Sequence, residues 1–144
     1  MHSRILVVCV GNICRSPLAE HLLQQALPQC QISSAGVAAV VGADMDATAR
    51  QVASQRGHNV PEHRARQLTP QLCQEADLIL VMEAGHRDAV SRIHAPARGK
   101  TLLLGQGQTP ADIPDPYRRS LAVHDAAQQQ IERACAAWAQ KLRH

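Results

Sequence analysis

Cys9 and Arg15 have the residue types and the spacing of a phosphate-binding site. Five residues separate them, and the seven-residue segment is long enough for its backbone N–H groups to surround a tetrahedral oxyanion. The guanidinium of Arg15 offers a planar fork of donors to two oxygens of such a group. The same positive field favours the thiolate of Cys9 over its thiol. The segment therefore predicts a cysteine nucleophile that attacks phosphorus and forms a phosphocysteine.

The flanking residues strengthen this prediction. The apolar run at residues 5–8 predicts a buried strand immediately before Cys9. Gly11 permits a tight backbone in the loop. Ser16 is suited to the N-cap of a helix and Pro17 to its first helical position, and the Ser16 hydroxyl can also donate to the cysteine sulfur. The alternatives are a buried structural cysteine at a strand end and an ordinary surface arginine.

Two carboxyl groups near the end of the chain are candidates for a general acid. Release of an alcohol from phosphorus needs a proton for the leaving oxygen and later a base for water, and one carboxyl group can serve both steps. Asp112 and Asp115 are both available, and the residues alone leave the choice open, because an aspartate before proline is usually a turn residue. Pro116 restricts Asp115 to an extended backbone. Tyr117 can form a wall of the cleft.

Apolar runs alternate with helical patterns along the chain. The predicted strands are 5–8, 31–34, 78–82 and 101–104, and the predicted helices are 17–27, 46–56, a short helix from 69, 84–93 and 119–142. Strands that alternate with helices indicate a parallel sheet covered on both faces. We therefore expect an α/β fold of three layers, a four-stranded parallel sheet between helices, with the phosphate-binding loop after the first strand.

Composition restricts the class of protein and its compartment. The 144 residues are interpreted as one domain, 1–144, and the formal net charge of +3 comes without a basic block typical of nucleic acid binding. Five cysteines without tight spacing argue against a secreted disulfide scaffold, and the first residues do not resemble a signal peptide. No apolar run is long enough to cross a membrane, and no cysteine–histidine cluster has metal-site spacing. We expect a cytoplasmic monomer without cofactor, metal or membrane insertion.

The segment 9–17 resembles the signature of the low-molecular-weight protein tyrosine phosphatases. Segments 34–36, 63–67, 77–82 and 115–117 resemble further landmarks of that family, in the expected order. The resemblance implies the family's fold and a metal-independent phosphatase for phosphotyrosine. It also implies that Cys9 is the nucleophile, that Arg15 binds the phosphate, and that Asp115 rather than Asp112 is the general acid and base.

The same resemblance assigns supporting roles around the loop. The Asn12 side chain would brace the loop, with Ser34 and His63 as its partners. The full set of phosphate-binding and supporting residues is Val10, Gly11, Asn12, Ile13, Cys14, Ser16, Ser34 and His63. Two interpretations of Cys14 stay open: a reversible disulfide with Cys9 that protects it from over-oxidation, or a small packing residue.

The loop 36–44 contains no aromatic residue, whereas mammalian members of the family carry one there. We expect Val40 and Val41 to form the cleft wall opposite Tyr117. This pattern resembles the bacterial members encoded with capsule or exopolysaccharide machinery, the Wzb type. The resemblance implies that the partners are tyrosine-phosphorylated proteins, in particular a bacterial tyrosine autokinase of polysaccharide export.

Three other functions are alternatives to phosphotyrosine hydrolysis. An arsenate reductase on the same fold needs further cysteines after the third strand, and residues 83–96 contain none. Phosphoarginine phosphatases of this fold tend to have threonine at the position of Ile13, so isoleucine favours phosphotyrosine. A non-catalytic phosphotyrosine-binding module would not need Cys9, Arg15 and Asp115 together.

Overall fold

Strands and helices alternate along the chain, and the computed structural model describes residues 3–143. The elements are β1 Arg4–Cys9, α1 Arg15–Ala26, β2 Gln31–Gly36, α2 Ala47–Gln55, α3 Pro70–Glu75, β3 Leu78–Val81, α4 Ala84–Ile93, a 3-10 helix at Ala95–Lys100, β4 Thr101–Leu103 and α5 Leu121–Leu142. The predicted order of strands and helices is confirmed. The sequence pattern did not reveal the 3-10 helix.

The four strands form one parallel sheet in the order β2-β1-β3-β4. β1 is an inner strand, and its Val8 lies opposite Ala35 of β2 on one side and Val81 of β3 on the other. A parallel sheet of this kind is covered on both faces, which is why its strands are short apolar runs. The carboxyl ends of all four strands meet at one edge, and Cys9, the last residue of β1, lies there.

Helices cover both faces of the sheet. Ile5 and Val7 of β1 belong to the larger hydrophobic core, to which α1, α2 and α5 contribute, and Trp138 of α5 is part of it. Leu6 and Val8 point to the opposite face and belong to a second core, which includes residues of α3 and α4. The expected three-layer α/β fold is therefore confirmed.

The first helix begins two residues earlier than the sequence indicates. α1 starts at Arg15 with Cys14 at the N-cap position and without a side-chain capping bond, so the prediction that Ser16 caps the helix and Pro17 opens it is wrong. The Ser16 hydroxyl lies 2.9 Å from the sulfur of Cys9 instead. Pro17 remains in the first turn, where its missing N–H has no intrahelical acceptor to lose.

Capping side chains set the starts of two further helices. Asp46, the first residue of the segment predicted as helix 46–56, is the N-cap of α2 and accepts a hydrogen bond from the Ala49 N–H at 3.0 Å. The last helix begins at Leu121 and not at residue 119, because Ser120 is its N-cap and accepts from the Val123 N–H at 3.3 Å. The bounds of α4 are those predicted from the sequence.

Candidate active site

The loop that follows β1 is held against the end of β2. Its carbonyl groups at Cys9 and Val10 accept hydrogen bonds from the N–H groups of Val37 and Ala38, both at 3.0 Å. A Cβ atom at Gly36 would lie 2.3 Å from the carbonyl oxygen of Val10. Only glycine allows this approach, so the last residue of β2 fixes where the loop lies.

Cys9 lies at the closed end of the loop, with 2 % of its surface exposed. Its sulfur is 2.9 Å from the Ser16 hydroxyl and accepts the Asn12 N–H at 3.3 Å. The Asn12 side-chain amide donates to the Ser16 oxygen at 2.7 Å, which leaves the hydroxyl proton free to point at the sulfur. Two donors therefore converge on this sulfur, an arrangement that stabilises a thiolate.

Asn12 braces the loop from within. It is fully buried, and its φ of 59° lies in the left-handed region, which asparagine tolerates better than most residues. Its side-chain amide also donates to the Ser34 hydroxyl at 3.0 Å, its side-chain oxygen accepts the Arg66 N–H at 2.9 Å, and its carbonyl oxygen lies 2.6 Å from Nε2 of His63. Ser34 and His63 thus contact Asn12 as the family resemblance implied. The contact with Arg66 was not predicted.

Arg15 is held from one side only. It is 2 % exposed, and its Nη1 donates to the Glu83 carboxylate at 2.8 Å and to the Ile113 carbonyl oxygen at 2.7 Å. Its Nη2 lies 3.9 Å from the Asp115 carboxylate, and its buried Nε has no hydrogen-bond partner. The edge formed by Nε and Nη2 is therefore the part of the guanidinium that remains for two oxygens of an anion.

Glu83 is a site residue that sequence reasoning missed. It is the N-cap of α4 and follows β3 by two residues, and its backbone N–H donates to Nδ1 of His86 at 3.3 Å. Burial, with the nearby Arg15 guanidinium as a second cause, lowers the pKa of His86, which favours the neutral ring that accepts this bond. A usable signal existed, because β3 neighbours β1 and a carboxylate after β3 must lie at the same edge as Cys9.

The two candidate acids differ in what holds them. The Asp115 side chain is 46 % exposed and faces Arg15 across 3.9 Å. The Asp112 carboxylate accepts the Ala84 N–H at 3.0 Å, at the start of α4. Asp112 therefore binds the N-terminus of α4, whereas Asp115, whose Oδ1 accepts the nearby Tyr117 N–H at 3.1 Å, faces the guanidinium of the loop.

A cavity of about 170 Å³ opens above the loop and is lined by Cys9, Val10, Gly11, Ile13, Cys14, Arg15, Ala38, Val40, Asp115 and Tyr117. Val40 and Tyr117 are 48 % and 39 % exposed and supply apolar walls. Val41, which was expected in the wall, is 71 % exposed and does not line the cavity. Its neighbour Gly42 has a φ of 86°, and at this turn the chain leaves the cleft.

The family model described as "Low molecular weight phosphotyrosine protein phosphatase" matches residues 4–144. The chain belongs to this family. It is 45 % identical over 142 residues to the low molecular weight protein-tyrosine-phosphatase Wzb of Salmonella typhimurium, covering 99 % of this chain and 95 % of that protein. The resemblance to the Wzb type is thereby confirmed, as is the enzyme class, protein-tyrosine phosphatase.

Two solved structures are similar to the phosphatase in fold and in sequence. Vibrio vulnificus Wzb in complex with benzylphosphonate is 49 % identical with a TM-score of 0.95, and the match covers 99 % of this chain and all of that one (100 %). The YwlE arginine phosphatase of Geobacillus stearothermophilus is 35 % identical with a TM-score of 0.88, and the match covers 97 % and 92 % of the two chains. The fold therefore accommodates more than one phosphorylated side chain.

Cys14 lies in the same loop of the phosphatase as Cys9. It is buried, and burial chiefly, with the carboxylates of Asp46 and Asp115 as further causes, raises the pKa of its thiol above the ordinary value. The thiol form of Cys14 is therefore favoured at neutral pH. Its pairing with Cys9 under oxidation stays a prediction.

The described residues of the phosphatase contain neither a metal-binding cluster nor a membrane-spanning helix. Among residues 3–143, no group of three or more histidine, cysteine, aspartate or glutamate side chains is arranged to hold a metal ion. Within the same residues, no helix has the length and apolar character needed to cross a membrane.

Proposed function

We propose that this phosphatase hydrolyses phosphotyrosine in proteins through a phosphocysteine formed on Cys9. The observation that carries the proposal is the position of the Cys9 sulfur, which lines the bottom of the cavity with the Ser16 hydroxyl at 2.9 Å and the Asn12 N–H at 3.3 Å. These donors stabilise a thiolate before reaction. They also stabilise it as the leaving group of the second step.

Arg15 binds the phosphoryl group in this proposal. Because Glu83 and the Ile113 carbonyl group hold Nη1, the guanidinium is fixed before the substrate arrives. Its Nε and Nη2 then donate to two equatorial oxygens and follow their charge into the transition state. The loop amides and the N-terminus of α1 supply further positive potential for the same oxygens.

The reaction takes two displacements at phosphorus. The Cys9 thiolate attacks, the bond from phosphorus to the tyrosyl oxygen breaks, and the Asp115 carboxylic acid gives its proton to that oxygen. The Asp115 carboxylate then takes a proton from water, whose oxygen attacks phosphorus. The P–S bond breaks, inorganic phosphate leaves, and the Cys9 thiolate is restored.

The shape of the cavity favours phosphotyrosine over shorter phosphorylated side chains. The sulfur lies at the bottom, and a long side chain reaches it more easily than phosphoserine or phosphothreonine. Val40 and Tyr117 offer apolar surface to an aromatic ring. The related Vibrio vulnificus protein was solved with benzylphosphonate, which joins an aromatic ring to a phosphonate. That ligand supports an aromatic substrate here.

The proposed partner is a tyrosine autokinase of a bacterial polysaccharide-export system. The support is likeness to the Wzb proteins together with the aromatic-free loop 36–44. An open cleft with few anchoring aromatic residues suits a flexible phosphorylated tail. The proposed enzyme works as a cytoplasmic monomer and uses no metal or other cofactor.

Phosphoarginine hydrolysis is the second candidate, because arginine phosphatases share the fold at 35 % identity. The position that opposes it is Ile13, a buried residue of the cavity lining. A branched aliphatic side chain gives no hydrogen bond to a guanidinium, whereas it packs against an aromatic ring.

The test uses four peptides of one sequence that carry phosphotyrosine, phosphoserine, phosphothreonine or phosphoarginine, with a chelator present, and measures kcat/KM for phosphate release. The proposal expects phosphotyrosine to be hydrolysed fastest. Faster release from any other peptide would overturn the substrate class. A phosphorylated autokinase tail forms a separate arm, and equal rates on that tail and on unrelated phosphotyrosine peptides would remove the proposed partner.

A further inference from the structure

Short-range hydrogen bonds hold the segment that follows Asp115. The Asp115 carboxylate accepts the Tyr117 N–H at 3.1 Å, and the Pro116 carbonyl oxygen accepts the Arg119 N–H at 2.9 Å. Ser120 then caps α5. The side chains between the general acid and the last helix therefore leave the backbone in fixed directions.

Arg118 has the unusual backbone conformation in this segment. Its φ is 61°, and it is the third residue of the turn closed by Pro116 and Arg119. Such a turn requires a positive φ at that position and ordinarily has glycine or asparagine there. A residue with a Cβ atom is unfavourable in this conformation. An arginine side chain held there at a conformational cost suggests a function for its direction.

The side chain of Arg118 lies over the wall of the cleft. Its guanidinium carbon lies 5.1 Å from the centre of the Tyr117 ring, a cation–π contact that orients the planar group. Tyr117 lines the cavity above Cys9, whereas Arg118 does not. Arg118 therefore lies at the rim, where the residues beside a bound phosphotyrosine would pass.

The guanidinium of Arg118 is available to a ligand. It is exposed, and none of the carboxylates in residues 3–143 pairs with it, nor does it form a hydrogen bond there. A cation at the rim attracts an anionic segment that passes beside the bound phosphotyrosine. An arginine fork suits an oxyanion with two oxygens.

We propose that Arg118 is a specificity-determining residue that binds an oxyanion, either a carboxylate or a second phosphate, on a residue adjacent to the phosphotyrosine. The proposal rests on the proposed function, because it concerns the substrate of the same site. It predicts that the phosphatase prefers phosphotyrosines with acidic or phosphorylated neighbours.

The test measures kcat/KM on matched phosphotyrosine peptides. One series carries glutamine beside the phosphotyrosine, a second carries glutamate, and a third carries another phosphotyrosine whose own release is followed separately; each neighbour is placed on the amino or the carboxyl side. The wild type should prefer the glutamate or the doubly phosphorylated peptide by about fivefold, the upper range for an exposed ion pair. The preference should fall as salt is raised. The glutamate and phosphate arms identify which source of the oxyanion is used.

Two variants decide whether Arg118 causes the preference. Arg118→Gln should bring the ratio of acidic to neutral peptide close to one, while Arg119→Gln, the matched control without a contact to the Tyr117 ring, should keep it. A purely structural role for Arg118 would change both peptides equally and leave the ratio unchanged. An unchanged ratio in Arg118→Gln, or no preference in the wild type, overturns the proposal. Failure of the wild type on the glutamine peptide would instead count against the proposed function.

Discussion

Two clusters of buried polar side chains in this phosphatase are built differently. In the floor cluster, defined as Asn12, Arg15, Ser16 and Ser34, both side-chain polar atoms of Asn12 are hydrogen-bonded. The edge of Arg15 formed by Nε and Nη2 has no hydrogen-bond partner among the described residues. In the helix seam, defined as His124 and Gln128 of α5, both ring nitrogens of His124 and the side-chain oxygen of Gln128 are unpaired among the described residues. Gln128 contacts α2 through one bond, from Nε2 to the Ala49 carbonyl oxygen at 2.8 Å.

The difference shows what pairing does for a buried polar group. A buried group without a partner loses its hydration and gains nothing, so it costs stability. In the floor cluster each bond restricts another, and the unpaired edge of Arg15 faces the site where a phosphate would bind. In the helix seam the unpaired atoms do not position any other side chain. Buried polar residues therefore indicate a functional site only when their partners converge on a common point.

The largest loss after the nucleophile is expected at the carboxyl group that faces the floor cluster. Asp115→Asn should lower kcat by about 10²–10⁴ on phenyl phosphate, because a poor leaving group needs the proton. The loss should shrink with leaving groups that need no proton. The measurement is kcat against leaving-group pKa for a series of aryl phosphates.

Asp112→Asn is the matched control for Asp115. Its carboxylate accepts the Ala84 N–H, and an asparagine oxygen can accept the same bond. This variant should keep nearly all activity. Equal kinetics of Asp115→Asn and wild type on phenyl phosphate would show that Asp115 is not the general acid.

The next largest effect is expected from Arg15→Lys. A lysine keeps the charge but cannot hold Glu83 and the Ile113 carbonyl group while offering two further donors to the phosphate. The expected loss in kcat/KM on p-nitrophenyl phosphate is about 10²–10³, the usual cost of losing a transition-state donor. Arg98→Lys, in an exposed pair with Asp88, is the control and should change little. A loss below threefold in Arg15→Lys would mean that charge alone suffices.

A smaller effect, on stability, is expected from removal of the brace. Asn12→Gly keeps the positive φ available but leaves the Arg66 N–H without its acceptor and removes one of the two bonds of the Ser34 hydroxyl, whose bond to Glu20 stays. The free energy of unfolding should fall by about 1–3 kcal/mol, as for a buried group left unpaired. Denaturant unfolding measures this, and Asn12→Ala should cost more because its φ is strained. A Gly variant as stable as the wild type would show that the hydrogen bonds contribute nothing.

The smallest effect is expected in the helix seam, where His124→Phe removes two unpaired nitrogens. Unfolding at neutral pH should be unchanged or slightly more difficult. Burial lowers the pKa of His124, and the Asp46 and Asp115 carboxylates oppose this shift. The unfolded chain therefore binds the proton first, and stability present above the ordinary pKa of histidine is lost as pH falls below it.

The stability of the wild type should depend on pH more strongly than that of His124→Phe. Between pH 7.5 and 5 the wild type should lose more stability than His124→Phe, by at most about 1.4 kcal/mol per pH unit, the limit for one titrating group. Burial also lowers the pKa values of His21 and His86, so the variant should retain part of the dependence. Identical pH slopes for the two proteins would mean that His124 is not a buried neutral ring.

Sequence reasoning succeeded where one local rule decided the structure. The run before Cys9 is apolar and short, so its strand was predictable, and Asp46 has the side chain that an N-cap needs. It failed at the start of α1, because the capping propensities of Ser16 and Pro17 placed the first turn two residues late. Of the two roles expected for the Ser16 hydroxyl, the structure shows the contact with the Cys9 sulfur and not the cap.

Long-range partners of the site were the other failure. Glu83 is 68 residues from Arg15 and Arg66 is 54 residues from Asn12, so neither pair follows from spacing. The order of the strands in the sheet brings Glu83 to the site. That order was not predicted from the sequence. Val41 was expected in the cleft wall because it is apolar, but the turn at Gly42 directs it to solvent.

The role of Cys9 as nucleophile is tested by turnover of p-nitrophenyl phosphate in Cys9→Ser, with a chelator present and with vanadate binding followed in the same preparation. Turnover should fall by many orders of magnitude, because the covalent step is lost, while vanadate still binds to the loop amides and Arg15. Cys73→Ser, at a buried cysteine of α3, controls for the loss of a thiol and should retain activity. Turnover above about a tenth of wild type in Cys9→Ser, a far smaller loss than removal of a covalent nucleophile causes, would contradict the assignment of Cys9 as the nucleophile.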